Sequence, residues 1–158
     1  MAEKSEKGSD VFCSDEINRG IIYKSRYTIV LCDIAPVMPG HILLIPRRHV
    51  YDMADLREEE LLDFFEVLKK VRPVILKLYS DGLGSYDMTA QIGEYSGRSV
   101  RHLHMHIIPR KKTDPYQEGF GSSVYDEIGK ARRLSEAEYG KRVEMLRKEL
   151  NWREEKGE

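Results

Sequence analysis

The sequence predicts an α+β fold, a mainly antiparallel sheet meander with one long helix and a C-terminal helix. Three observations predict it. Short β-rich runs come in adjacent pairs, residues 55–80 carry a helical apolar period, and the element order is β-β-β-α-β-β-α. That order lacks the alternating βαβ units of a parallel sheet. The 158 residues suit a single hydrophobic core. The expected organisation is a disordered N-terminal tail over 1–10, one domain over 11–152 with a mobile loop at 111–124, and a C-terminal tail over 153–158.

Each element has a local reason. "IIYKSRYTIVL", residues 21–31, reads as a strand, a tight turn at "KSR" and a second strand. "DIAPVMPGH" follows, a rigid loop punctuated by Pro36, Pro39 and Gly40. "HILLIP" is a short apolar run closed by Pro46, the pattern of a buried strand. Within 55–80, Leu61, Phe64, Phe65, Leu68, Val71 and Ile75 repeat at i, i+3, i+4, i+7 and form one stripe. Asp55 with Glu58 predicts its capping box. Pro73 predicts a kink or a helix end just before it. "YDMTAQIGE" and "SVRHLHMHIIP" read as an antiparallel pair joined through "GEYSG". Ser135 and Glu138 form a second capping box, ahead of an amphipathic helix carrying Tyr139, Val143, Leu146 and Leu150.

Composition excludes several classes. The 26 basic and 27 acidic residues leave a net charge of -1, which argues against a dedicated nucleic-acid binder with a global basic field. No apolar run reaches the roughly 18 residues that span a bilayer, so no membrane partner is expected. "MAEKSEKGSD" has no apolar core of a secretory signal. Cys13 and Cys32 are the only cysteines and read as free thiols of a reducing compartment. There is no CxxC, no glycine-rich phosphate loop and no internal repeat. The expected location is cytoplasmic, with the nucleus as the alternative.

"VRHLHMHIIPR", residues 100–110, holds three of the five histidines. On a strand His102, His104 and His106 would share one face, about 6.6 Å apart at about 3.3 Å per residue. Leu103, Met105 and Ile107 would face the core. Three readings are open. Zinc takes imidazole, but three alternating rings gather poorly around one ion, and His41 would have to help. A neutral imidazole, with its other nitrogen held by an acceptor, attacks phosphorus well; the phosphoramidate it forms is then cleaved by water. The third reading is a solvated strand face.

Other residues suit the second reading, each with a plain structural role beside it. Gln91 and Ser99 offer an amide and a hydroxyl to phosphate, or an edge group and a turn end. Gly93 and Gly97 allow backbone N–H groups near an anion, or only shape the loop. Asp33 suits a ribose diol or caps the "DIAP" turn. His41 would support the triad or be a satisfied buried histidine. His49, among the cations of "PRRHV", reads as surface.

Together these stretches resemble a known family. "HLHMHII" matches the histidine triad pattern, and "DIAPVMPGHILLIPRRH" resembles that superfamily's other signature. "QIGEYSGRSVRHLHMHIIPRK" is similar to its fragile histidine triad branch, the diadenosine polyphosphate hydrolases: Gln91 stands eleven residues before His102, Pro109-Arg110 follows the triad, and "SSVYDEI" resembles the segment closing the mobile loop. The resemblance covers roughly residues 12–150. Asp33 departs from the Asn common in that branch and matches the nucleoside phosphoramidases. His106 argues against the nucleotidyltransferase branch, which has Gln there.

The resemblance implies an α+β meander that pairs into a homodimer. It implies hydrolysis of diadenosine tri- or tetraphosphate to AMP plus ADP or ATP through a nucleotidyl-histidine intermediate. His104 would be the nucleophile. His102 and His106 would orient it and serve the phosphate or leaving group, supported by His41. Gln91 and Ser99 would contact phosphates, and Asp33 the ribose. Phe12 and Ile17 would wall the base, and Tyr125 would close over the second nucleotide. No structural metal is expected; a divalent cation such as magnesium would bind with substrate. The alternatives are a nucleoside phosphoramidase, a phosphorolytic variant, a non-enzymatic nucleotide-binding signalling module and a metal-site protein.

Overall fold

The structure, a computed structural model, describes residues 10–82, 84–114 and 128–152. Residues 1–9 of the expected N-terminal tail over 1–10, the expected C-terminal tail over 153–158, residues 115–124 of the expected loop over 111–124, and Tyr125 lie outside the described residues. Five strands form one antiparallel sheet: β1 (Ile21–Lys24), β2 (Thr28–Cys32), β3 (Ile42–Pro46), β4 (Tyr86–Ala90) and β5 (Met105–Pro109), in the order β1-β2-β3-β5-β4. Helix α1 (Glu58–Tyr79) connects β3 to β4, and α2 (Glu136–Glu149) lies near the C-terminus. The fold class and the element order are as the sequence predicts.

The strand pairs follow local chemistry. The β1–β2 turn is pinned because Asp63 accepts from both the Ser25 and Thr28 hydroxyls, at 2.6 and 2.7 Å. Strand β3 is buried along its whole length, as expected of "HILLIP" at the sheet centre. Its side chains alternate between two packed faces. Ile42 and Leu44 join Val30, Met105 and Ile107 under Phe64, Val71 and Ile75 of α1. Leu43 and Ile45 join Ile21 and Leu31 on the opposite face, with Phe12 and Ile17 packed against them.

Helix α1 departs from the sequence reading in three ways. It begins at Glu58, not at an Asp55 cap: the Glu60 carboxylate accepts the Arg57 N–H at 2.9 Å, and Asp52 caps a separate 3-10 turn, Met53–Asp55. Glu60 is also gripped by Arg48 through two bonds of 2.8 and 2.7 Å, so a buried carboxylate joins the helix start to the end of β3. The buried stripe is rotated. Phe64, Val67, Leu68, Val71 and Ile75 are buried, whereas Leu61 and Phe65 are exposed. Finally, α1 runs through Pro73 to Tyr79. Pro73 points outward, and the buried residues on both sides of it hold the segment helical.

The expected cap of α2 is present. The Ser135 hydroxyl accepts the Glu138 N–H, and the Glu138 carboxylate accepts the Ser135 N–H. Tyr139, Val143, Leu146 and Leu150 are buried as predicted. Residues 111–114 form a fixed turn in which the Asp114 carboxylate accepts the Lys111 N–H at 2.8 Å. Among the described residues no helix is long and apolar enough to cross a membrane.

Replacing Glu60 by Ala removes the helix cap and leaves Arg48 without its carboxylate. Denaturant unfolding should show a loss of about 1–3 kcal/mol. An unchanged midpoint would show that the Arg48–Glu60 link is dispensable.

Candidate active site

The histidine strand is shorter than its alternation predicts. Strand β5 starts at Met105, so only His106 lies on it, opposite Leu43 of β3 and Thr89 of β4. The chain before it leaves the sheet because the Leu103 N–H donates to the Val50 carbonyl at 2.7 Å. His102, His104 and His106 therefore do not form the expected row on one strand face. Met105 and Ile107 do enter the helix-covered core, which turns His106 to the other face.

His104 is held by its own chain. Its Nδ1 lies 2.8 Å from the main-chain oxygen of His102. A carbonyl only accepts, so Nδ1 carries the proton and Nε2 keeps its lone pair. The ring packs edge-on to Phe12, with centroids 5.2 Å apart, and lies 5.0 Å from the His106 ring. Burial lowers its pKa below the ordinary imidazole value, so the neutral, nucleophilic form is favoured near pH 7.

His41 and His106 form a second fixed chain. The Val37 N–H donates to His41 Nδ1 at 3.1 Å, which places the His41 proton on Nε2. That nitrogen lies 2.9 Å from His106 Nδ1, so His106 accepts there and carries its own proton on Nε2. Burial pushes both imidazoles down to about 3, so both are neutral. The rigid "MPGH" turn makes this possible. Gly40 has φ +86, and a Cβ there would meet the Tyr79 ring at 2.4 Å, so only glycine seats His41 under β5.

These groups open on a cavity of about 390 Å³, a size suited to a small-molecule ligand. Its wall includes His104, His106, Asp33, Ser99, Phe12 and Ile17, all expected from sequence. Asp33 caps its own turn through the Ala35 N–H at 2.8 Å, and burial raises its carboxyl pKa. Gln91 follows β4 directly and is not on that wall. His102 is not on it either. Its Nε2 donates to the Pro46 carbonyl at 2.8 Å and its Nδ1 faces Asp10 at 2.9 Å. Its contribution to the cavity is its main-chain oxygen, which orients His104.

Several wall residues were missed from sequence. Arg133 lines the cavity near Asp33, as do Glu16 and Arg19. They come from distant, charged stretches with no motif to mark them. Asp10 was read as tail, yet it caps the 3-10 turn Val11–Cys13 through the Phe12 N–H at 2.9 Å. His49 is exposed, as read from its cationic neighbours, but its Nδ1 lies 2.6 Å from Asp10.

Among the described residues two groups could hold a metal: Asp10, Cys13, His49 and His102, and Asp33, His41 and His106. In the second group the His41 proton is already directed at His106, so that group works as a hydrogen-bond chain. Among the described residues His102, His104 and His106 do not together form such a group. Cys13 and Cys32 are both free thiols.

Burial of two neutral histidines makes stability depend on pH. The unfolded chain binds their protons near the ordinary imidazole value and the folded chain only near 3. The unfolded state therefore holds more protons between about 6.5 and 3, and folding stability falls as pH drops through that window. Unfolding free energies at pH 7.5, 5.5 and 4.5 should decline steadily. A flat series would contradict the neutral assignment.

Comparison with known proteins agrees with this geometry. The HIT domain family model matches residues 14–113. The asymmetrical bis(5'-nucleosyl)-tetraphosphatase of Schizosaccharomyces pombe is 34% identical over 119 residues, covering 75% of this chain and 63% of the relative. The bis(5'-adenosyl)-triphosphatase of Saccharomyces cerevisiae is 35% identical over 113 residues, covering 71% of this chain and 52% of the relative. The chain thus matches about half to two thirds of these curated relatives' length. A solved structure, a hypothetical histidine triad nucleotide-binding protein of Sulfolobus tokodaii, superposes with TM-score 0.68 at 26% identity, covering 89% of this chain and 91% of that one. With the triad, the second signature and the sheet order in place, the chain belongs to the HIT domain family.

Proposed function

We propose that the protein is a dinucleoside polyphosphate hydrolase that cuts diadenosine tri- or tetraphosphate at the α-phosphate and releases AMP. One observation carries this reading: His104, its proton held on Nδ1 and its Nε2 lone pair thereby kept, lines a cavity shared with Asp33 and Ser99. The names of the curated relatives support the substrate class.

The chemistry follows from the tautomers. His104 Nε2 attacks the α-phosphorus, a P–N bond forms and the bond to the bridging oxygen breaks. His106 borders the cavity, from where it would assist a phosphate or leaving oxygen. ADP or ATP leaves. Water then attacks the phosphorus, the P–N bond breaks, and AMP departs with the imidazole restored. Asp33 takes the ribose hydroxyls, Ser99 and Gln91 serve phosphate oxygens, and Phe12 and Ile17 wall the base. A divalent cation such as magnesium accompanies the polyphosphate.

The protein is also proposed to act as a homodimer in the cytoplasm. Leu61, Leu62 and Phe65 are exposed on α1, Met88 is exposed on the edge strand β4, and a second copy would cover them. Light scattering should give about twice the 18.4 kDa chain mass; a monomer at micromolar concentration would remove the dimer. The Asp33 carboxylate also suits a nucleoside phosphoramidase, and side-by-side rates on an AMP–lysine model and a diadenosine compound separate the two.

The direct assay is AMP release from diadenosine tri- and tetraphosphate, and no AMP from clean protein would end the proposal. His104→Ala should lower turnover by at least about 10⁴-fold, the scale of losing a nucleophile. Near-normal turnover would remove His104 from that role. The acid limb of kcat/KM should lie below about pH 6.5, because burial keeps His104 neutral past its ordinary value. A limb at or above that value would mean a solvated imidazole.

A further inference from the structure

We propose that Arg133 is a positioning residue for the ribose end of the cavity. Held on a strap of residues 128–134, its guanidinium acts through Asp33 and sets a preference for ribonucleotides over 2'-deoxyribonucleotides. The proposal rests on the nucleotide-binding part of the reading above, not on hydrolysis. The strap lies beyond residues 14–113, the part of the chain that the HIT domain model matches.

The strap is clipped to the loop that carries Asp33. The Leu134 N–H donates to the Ile34 carbonyl at 2.9 Å, and the Arg132 guanidinium donates to the Val37 carbonyl at 2.6 Å. Ile128 packs against Val37, Met38 and Ile108. At Gly129 the two backbones come so close that a Cβ would lie 2.8 Å from the Ala35 oxygen. Ala35 is also the residue whose N–H donates to the Asp33 carboxylate, at 2.8 Å. The strap thus braces the turn that Asp33 caps, and it brings Arg133 to the cavity wall near Asp33. Arg132 is engaged by the loop's backbone, whereas Arg133 stays exposed at the wall.

Asp33 needs a cation beside it. Its side chain is only 17% exposed, and burial raises its carboxyl pKa. The Ala35 N–H, His106, His104 and Arg133 oppose that rise. The imidazoles do so only when protonated, and near pH 7 burial keeps them neutral. His41, 3.6 Å from the carboxylate, is neutral for the same reason. Cys32 and Tyr139 also face Asp33, and burial raises both, so neither is charged. Of these groups Arg133 alone carries a permanent positive charge. It favours the ionised carboxylate, which accepts from two hydroxyls at once, whereas a protonated carboxyl must itself donate. It also offsets the carboxylate's charge toward an anionic nucleotide. A 2'-deoxyribose leaves one of the two donations unmade, so the ionised form is the one that discriminates.

Calorimetric titration of the full chain with AMP and with 2'-deoxy-AMP at pH 7.5 tests this. Wild type should favour AMP by at least about tenfold. Arg133→Ala should weaken AMP about tenfold and 2'-deoxy-AMP at most about threefold, so that most of the preference is lost. Arg133→Lys, which keeps the charge, should recover most of it. With Asp33→Asn already present, adding Arg133→Ala should change AMP affinity by less than about twofold, because no carboxylate remains for the guanidinium to act on. Circular dichroism confirms the fold, and Arg133→Gln takes the place of the alanine variant if that one does not fold. An unchanged ribose preference in Arg133→Ala, equal weakening of both nucleotides, or a full tenfold loss on top of Asp33→Asn would overturn the proposal. Absent hydrolysis with these affinities as expected would end the hydrolase reading alone.

Discussion

The candidate site depends on one hydrogen bond, from His104 Nδ1 to the main-chain oxygen of His102 at 2.8 Å. It joins residues two apart, yet it decides which nitrogen of the central imidazole is free. A side-chain acceptor would be mobile; a main-chain oxygen is as fixed as the fold around it. That fold is fixed at either side of His102, by Leu103 N–H on Val50 and by the His102 ring on Pro46. The three histidines therefore hold unequal positions. His104 lines the cavity with its ring held by the main chain, His106 borders the cavity and is bonded to His41, and His102 is a strut.

Burial supplies the electrostatics. Imidazoles that would share protons with water near pH 7 are neutral here because desolvation penalises their charged forms. Their mutual closeness acts in the same direction, since charge on one disfavours charge on the next. Asp33 opposes this only weakly because its own carboxylate is disfavoured by burial. The result is a polar site of low charge, with Arg133 as a cation beside it for an anionic ligand.

The sheet divides labour between its faces. One face is closed by α1 and α2 over Val30, Leu44 and Ile107 and provides the stability. The other is only partly covered by Phe12 and Ile17, and His106 and the cavity lie there. A single period-2 alternation through Met105, His106 and Ile107 assigns these roles, so a one-residue slip would bury the histidine and expose the core.

The sequence by itself determined the α+β class, the order of the elements, the central strand "HILLIP", the α2 cap and part of the cavity wall, His104, His106, Asp33, Ser99, Phe12 and Ile17. Those features rest on local periods and on turn chemistry, which neighbouring residues decide. Tertiary structure decided the rest. Glu60 outcompeted Asp55 as the helix cap because Arg48 reaches it from the segment after β3. Packing carried α1 through Pro73 and rotated its stripe away from Leu61 and Phe65. The bond from Leu103 to Val50, across more than fifty residues, took His102 and His104 off the strand. The same long-range closure brought Asp10, Cys13 and His49 to His102. No local pattern encodes such contacts, because they exist only once the sheet has brought distant segments within bonding distance.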